Sequence, residues 1–334
     1  MHIFYTDKHL LHNPTGDWEV AARGTHILEA LVKAGVGTVV DPVDWGMGPI
    51  KAVHSPELLN FLQTAHERMQ REAPEAAVVP DCFAVRHLAG ALPQTIWGQL
   101  GYFCTDSTTP ILATTWPAAY WAVQTAVSAA HYMLYTGKSA YALCRPPGHH
   151  AYADLYGGYC YLNNAAIAAE WLVQQGKKVA ILDLDYHHGN GTQALFYARD
   201  DLLFCSIHAD PGQEYPYYSG YASEQGFGAG LGFTTNITLP IGTVGHVYLQ
   251  AVRRAVMEID SFQPDILLIS LGVDTAQEDP NGGFLLREAD FHAVGGLVAH
   301  IQTPKLVVQE GGYTLKRIGG DVQAFLAGIL QSAA

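Results

Sequence analysis

The sequence is poor in paired cysteines, in basic residues and in long apolar runs, and each shortage closes off a class of protein. Its five cysteines, Cys82, Cys104, Cys144, Cys160 and Cys205, are scattered and form no Cys-x-x-Cys pair. A disulfide framework and a thiolate zinc site are therefore not expected, and reduced, buried thiols are. Lysine and arginine number 18 against 31 acids, a net charge of −13. Phosphate binding needs a basic face, so no nucleic-acid partner is expected; a cationic ligand suits the balance better. No apolar run reaches the roughly 18 residues of a membrane span, and the start, "MHIFYTDKHLLHN", does not read as a secretory leader. No membrane contact and a cytoplasmic location are the expectations.

What is present suits a large folded core: 334 residues, 49% hydrophobic and 15% charged. No linker-like stretch or internal repeat divides the chain, so residues 1–334 are expected to form one domain. Short β-branched runs, "SAYALC", "KKVAILDLD", "LLFCSIH", "PDILLISLGVD" and "KLVVQEGG", alternate with stretches of helical spacing. Two of these are "YLNNAAIAAEWLVQQG", with Gly176 as its C-cap, and "HVYLQAVRRAVMEIDSF". Such alternation predicts a mostly parallel sheet with helices on both faces, and ligands outside the carboxyl ends of its strands. Residues 72–117 break the rhythm with prolines and little periodicity, and are expected to form a long loop at a site mouth or a subunit contact.

The strand ends carry the chemistry. In "VAILDLDYHHGNGTQ", residues 179–193, strand alternation places Asp183, Asp185 and His187 on one side. Asp274, closing "LLISLGVD", adds a carboxylate from another strand. Asp185, His187 and Asp274 meet the count of a catalytic zinc site, three protein ligands and an open position. Their oxygen-rich set also suits iron(II), manganese or cobalt. An ordinary Asp/His hydrogen-bond cluster is the competing reading, weakened by "GHH" and "GGY" at the ends of other apolar runs. His149 and His150 follow the stiff "RPPG", where one imidazole suits a general base and the other its electrostatic partner. Tyr313, after Gly311 and Gly312, is a neutral donor suited to an oxyanion. Asp183 is placed to orient His149 or to bind a monovalent cation, and Asn190 to orient His150.

In this order and spacing, "RPPGHH", "GGYCYLNNAAIAA", "DLDYHHGNGTQ", "SLGVDT" and "EGGY" resemble the histone-deacetylase-like amidohydrolase superfamily, with acetylpolyamine amidohydrolases nearest in pattern. The resemblance implies an α/β, single-domain three-layer α/β/α arginase–deacetylase fold with a mostly parallel sheet of about eight strands. It also implies metal-dependent removal of acetyl groups, with Asp185, His187 and Asp274 holding Zn2+, His149 and His150 as the catalytic pair with His150 the base, and Tyr313 polarising the carbonyl. Gly158 and Tyr159 match the channel. Structural K+ is implied at Asp183, Asp185, His187, Ser206 and Ile207, with a second monovalent site near Phe196, Arg199 and Leu202. The segment 72–117 matches an insertion that forms a homodimer and narrows the entrance, pointing to small cationic acetylamines.

Acidic residues that some polyamine-selective relatives carry in that insertion are replaced here by Trp97 and Thr108. Asp106, Asp17 and Glu19 remain as sources of negative charge, Trp97 offers an apolar or cation–π wall, and Asn281 is expected near the mouth. Acetylputrescine and acetylcadaverine are thus favoured over longer polycations. A protein acetyl-lysine deacetylase, or a broad amide hydrolase of the same mechanism, is the alternative. A two-metal ureohydrolase would need a second ligand set, and an inactive binding module would not need ligands, base and Tyr313 together.

Overall fold

The computed structural model describes residues 1–15, 18–74, 76–85 and 90–331. Eight strands form one sheet: β1 (His2–Phe4), β2 (Thr38–Val40), β3 (Ala140–Ala142), β4 (Val179–Asp183), β5 (Leu202–Ala209), β6 (Thr234–Leu239), β7 (Ile266–Leu271) and β8 (Lys305–Gln309). Their order is β2-β1-β3-β8-β7-β4-β5-β6, and every pairing is parallel. The predicted sheet is thus present, parallel throughout rather than mostly.

Alternate strand residues feed two apolar layers. Ala180, Leu182, Leu267, Ile269 and Val307 face one; Val179, Ile181, Ile266, Leu268, Leu306 and Val308 face the other. The first layer is closed by α1 (Ala22–Lys33), α8 (Gly245–Phe262), α9 (Glu288–Val298) and α10 (Ile318–Gln331), and the second by α5 (Thr115–Thr136) and α6 (Asn164–Gln174). With both faces covered, β4, β5, β7 and β8 are buried at every position, which is why they read as continuous apolar runs. Local chemistry marks the ends of helices. Asn163 caps α6 by accepting from Ala166 N at 2.9 Å, and Gly176 follows it at φ 75° as expected.

Two expectations change. The segment 72–117 is not a featureless loop: α4 (Ile96–Phe103) lies within it and packs on α3 (Pro56–Glu72) in a third apolar cluster. "IWGQLGYF" is apolar nearly all round, so it showed no helical stripe; Thr95 caps it by accepting from Gly98 N at 3.3 Å. In addition, β4 stops at Asp183, so Asp185 and His187 lie in the loop beyond it and owe their positions to that loop rather than to strand alternation. Among the described residues, no helix is long and apolar enough to cross a membrane. All five cysteines are free thiols, and only Cys82 is exposed.

Candidate active site

The carboxyl ends of β3, β8, β7 and β4 meet at one rim. Loops leaving them bring Asp185, His187 and Asp274 together, with one donor atom from each lying within 4.8 Å of the others. His187 Nδ1 is 3.1 Å from Asp274 Oδ2 and 3.3 Å from Asp185 Oδ1. Separations of about 3.3 Å are the edges of a tetrahedron with bonds of roughly 2.0–2.1 Å, those of zinc to nitrogen or oxygen. Backbone makes the room. A Cβ at Gly272 would fall 2.0 Å from Asp185 Oδ2, and one at Gly311 2.5 Å from that oxygen and 2.6 Å from Asp274 Oδ2. Gly311 N also donates to Asp185 Oδ2 at 2.8 Å.

The electrostatics of the cluster call for a cation. Burial, and then the Asp185 carboxylate, push Asp274 up to about 7. Burial opposes a charge on His187, but Asp185 and Asp274 outweigh it and raise the ring to about 10. Asp185 itself, despite its burial, is held well below the usual carboxylate range by His149 and His187, so the protons sit on Asp274 and His187, and a divalent ion bound there would displace them. The donor set fits such an ion.

The two adjacent histidines are driven apart in protonation state. His149 Nδ1 lies 3.1 Å from Asp183 Oδ2; burial disfavours its charge, yet Asp185 and Asp183 prevail and lift it to about 10. His150 falls well below its ordinary value, through burial and the neighbouring rings of His149 and His187. Its Nδ1 meets Asn190 Oδ1 at 2.6 Å, while Asn190 Nδ2 donates to the Tyr152 hydroxyl at 3.0 Å. With the amide oxygen toward the ring, Nδ1 carries the proton and Nε2 is the free base. Asp183 and Asn190 thus lie within hydrogen-bond reach of the two rings.

Tyr313 is 7% exposed, and burial holds its phenol well above 10. Residues without a sequence signature fix it. Asp279 Oδ2 accepts from Tyr313 N at 2.7 Å and Thr314 N at 3.0 Å. The Arg23 guanidinium lies 4.6 Å from the ring centroid, and Arg23 donates to the carbonyls of Gly312 and Glu310. Glu310, fully buried, accepts from Gly148 N at 2.7 Å, His149 N at 3.2 Å and the Ser270 hydroxyl at 3.2 Å, and so ties the histidine turn to β7 and β8. An acid ending an apolar strand in the quoted "EGGY" was the available sign of Glu310.

A cleft of about 340 Å³ opens above these groups, lined by Thr108, His150, Gly158, Tyr159, His187, Glu214, Tyr215, Pro280, Asn281, Gly282 and Tyr313. Gly158 is at φ 57°, and a Cβ there would meet His150 Cδ2 at 2.3 Å, so the wall approaches the base as closely as backbone permits. Gly158, Tyr159, Thr108 and Asn281 thus stand where expected. Other expected residues do not. Trp97 lies on α4, 40% exposed, and is not among the cleft residues. Asp106 spends its carboxylate on Gly158 N, Thr108 N and the Thr109 hydroxyl, shaping the wall instead of facing the opening. Glu19 is 1% exposed and clasped by Arg145 and Arg23, because a buried carboxylate must be paired; it brings no net charge to the mouth. Asp17 lies outside the described residues. Ser206 pairs in register with Asp183, and its hydroxyl is 2.8 Å from His208 Nδ1. Near the second cation region, Arg199 is engaged by Asp201 and Glu170.

The histone deacetylase domain model matches residues 17–329. The chain belongs to that family. This deacetylase is 43% identical over 327 residues to acetylpolyamine amidohydrolase 1 of Pseudomonas aeruginosa, covering 94% of each protein. It is 39% identical over 339 residues to the acetylpolyamine amidohydrolase of Mycoplana ramosa, covering 98% of this chain and 99% of that one. A solved acetylpolyamine aminohydrolase from Burkholderia pseudomallei superposes with a TM-score of 0.94 at 36% identity, covering 98% of both chains. The architecture is the arginase–deacetylase fold, as the resemblance implied. The enzyme is a hydrolase of a metal-dependent family, and its Asp185–His187–Asp274 group could hold such an ion.

Proposed function

We propose that this deacetylase hydrolyses the acetamide of acetylated polyamines, with the short diamines acetylputrescine and acetylcadaverine as preferred substrates. The observation that carries the reading is the meeting, at the base of one small aromatic cleft, of the Asp185–His187–Asp274 group, a neutral His150 and the Tyr313 phenol. Near-full-length similarity to proteins named acetylpolyamine amidohydrolases supports the substrate class. Zn2+ is our choice of ion, held by Asp185, His187 and Asp274, and when bound it supplies Lewis acidity to the amide and to water.

The protein's own groups then divide the work. His150 Nε2 accepts a proton from the attacking water while Asn190 steadies the positive charge that builds on the ring. His149, kept protonated by Asp183 and Asp185, adds fixed positive charge beside the developing tetrahedral centre. Tyr313 donates to the oxyanion. His150 finally returns its proton to the departing amine, so that acetate and a free ammonium leave. We further propose K+ at Asp183, Asp185, His187, Ser206 and Ile207, and a second monovalent cation near Phe196, Arg199 and Leu202. The whole chain acts as one catalytic domain in the cytoplasm, and residues 72–117 shape the mouth and the homodimer contact; Thr108 in the cleft supports the first role and the exposed Trp97 suits the second.

Turnover of acetylputrescine, acetylcadaverine, acetylspermidine and an acetyl-lysine peptide tests the reading side by side. The two acetyldiamines are expected to have the highest kcat/KM. Hydrolysis of the peptide alone would overturn it in favour of a protein deacetylase.

A further inference from the structure

One charged group in the cleft takes no part in the chemistry described above. Glu214 is the single carboxylate among the residues lining it; the other ionisable side chains there are His150, His187 and the tyrosines. Its position is fixed at both oxygens, since Oε2 accepts from the Tyr186 hydroxyl at 3.0 Å and Oε1 from Tyr215 N at 3.0 Å. Tyr186 is fully buried, and its ring stands edge-on to His187 at 5.0 Å and to Phe284 at 4.8 Å. The carboxylate is therefore mounted on a rigid aromatic that also touches the metal group.

Two accepted hydrogen bonds leave each carboxylate oxygen with acceptor capacity. Among the described residues, Glu214 has no lysine, arginine or histidine partner. An acid held in place at a cleft wall, with free lone pairs and no cation of its own, is built to receive a donor of positive charge. Tyr215 and Tyr159 flank the same opening with aromatic faces that favour an ammonium further.

We infer that Glu214 binds the free ammonium of the acetylated diamine and sets this enzyme's preference for cationic over neutral acetamides. The inference rests on the acetylamine reading above and deepens it. Because the carboxylate shares one cleft of about 340 Å³ with His150 and Tyr313, an amine bound at both ends is a short one. Glu214 acts on specificity and takes no proton in the reaction.

The test compares acetylputrescine with N-pentylacetamide, in which a methyl group replaces the ammonium, using metal-loaded wild type, Glu214→Gln and Glu214→Asp. Wild type is expected to favour the cationic substrate by about tenfold or more in kcat/KM, the worth of one well-placed ion pair. In Glu214→Gln that ratio falls toward one, mainly through a higher KM for acetylputrescine, and Glu214→Asp recovers part of it. An unchanged ratio in Glu214→Gln, whether both activities persist or both decline together, overturns the role of Glu214 and leaves the acetylamine reading standing. Wild-type protein that cleaves only an acetyl-lysine peptide overturns that reading, and this inference with it.

Discussion

In the proposed reaction the hydroxyl of Tyr313 is a single-residue lever. Burial keeps the phenol protonated, and Arg23 over its ring and Asp279 beneath its backbone hold it in place. Tyr313→Phe removes the donor while keeping the packed ring, so kcat should fall by about 10²–10³, the usual loss for one oxyanion donor. The unfolding temperature should stay close to wild type; a fully active Tyr313→Phe would remove the phenol from the mechanism. Tyr313 was legible as a candidate because two glycines precede it at the end of an apolar run and "EGGY" resembles the family's pattern. Asp279 was not, since an acid in "EDPNGG" is also an ordinary turn former. Arg23 was equally silent, and Glu19 was read only as a charge for the mouth: the two pair with each other four residues apart, but what they hold, Gly312 and Arg145, lies far along the chain.

At the scale of elements, the site is a set of strand tips and the loops they release. Sequence runs disclosed β3, β4, β5, β7 and β8, the strands that carry the chemistry, because these are buried and apolar. They did not disclose β1 and β2, which are as short as β3 but only partly buried, or β6, whose "TTNITL" has four polar residues of six. The tip of β8 shows how closely its loop is fitted to the acids. Gly311 both donates to Asp185 and leaves space that a methyl group would take from Asp185 and Asp274. Gly311→Ala should therefore fold, since the clash falls on carboxylate oxygens at a loop and not in the apolar layers, but hold less than half the wild-type metal after dialysis. Elemental analysis alongside circular dichroism decides this. Wild-type stoichiometry in the variant would show that the glycine is not there to make room for the donor set.

Across the whole molecule, folding buries far more titratable chemistry than catalysis uses. His9, His12, His54 and His208 are at most 2% exposed, and each is lowered to about 4, foremost by burial. His150 and His188 are lowered further, again by burial first. His54 shows how the neutral ring is used: Nδ1 is 2.8 Å from Tyr152 O, and Nε2 accepts from Asn163 N at 3.0 Å, which joins the turn after the catalytic pair to the start of α6. In the unfolded chain these rings titrate near 6.5. The stability they lend is thus complete above that value and is lost as pH falls from about 6.5 toward 4, at about 1.4 kcal/mol per pH unit for each ring. Glu310 and, without metal, Asp274 act in the opposite sense, because their folded values near 7 exceed those of free carboxyls and let the native state take up protons first. His149 and His187, raised to about 10, add a little in that same sense until the unfolded rings are protonated too. Asp183 and Asp321, raised by burial, add to that side, but the six lowered rings stay neutral across the whole window in which unfolded rings charge, and they leave a net loss against the roughly 5–15 kcal/mol that typically holds a domain together. Urea unfolding midpoints should accordingly fall between pH 7 and pH 5, with chelator present throughout so that metal release adds nothing. Equal midpoints at the two values would mean that these histidines are not held neutral by the fold.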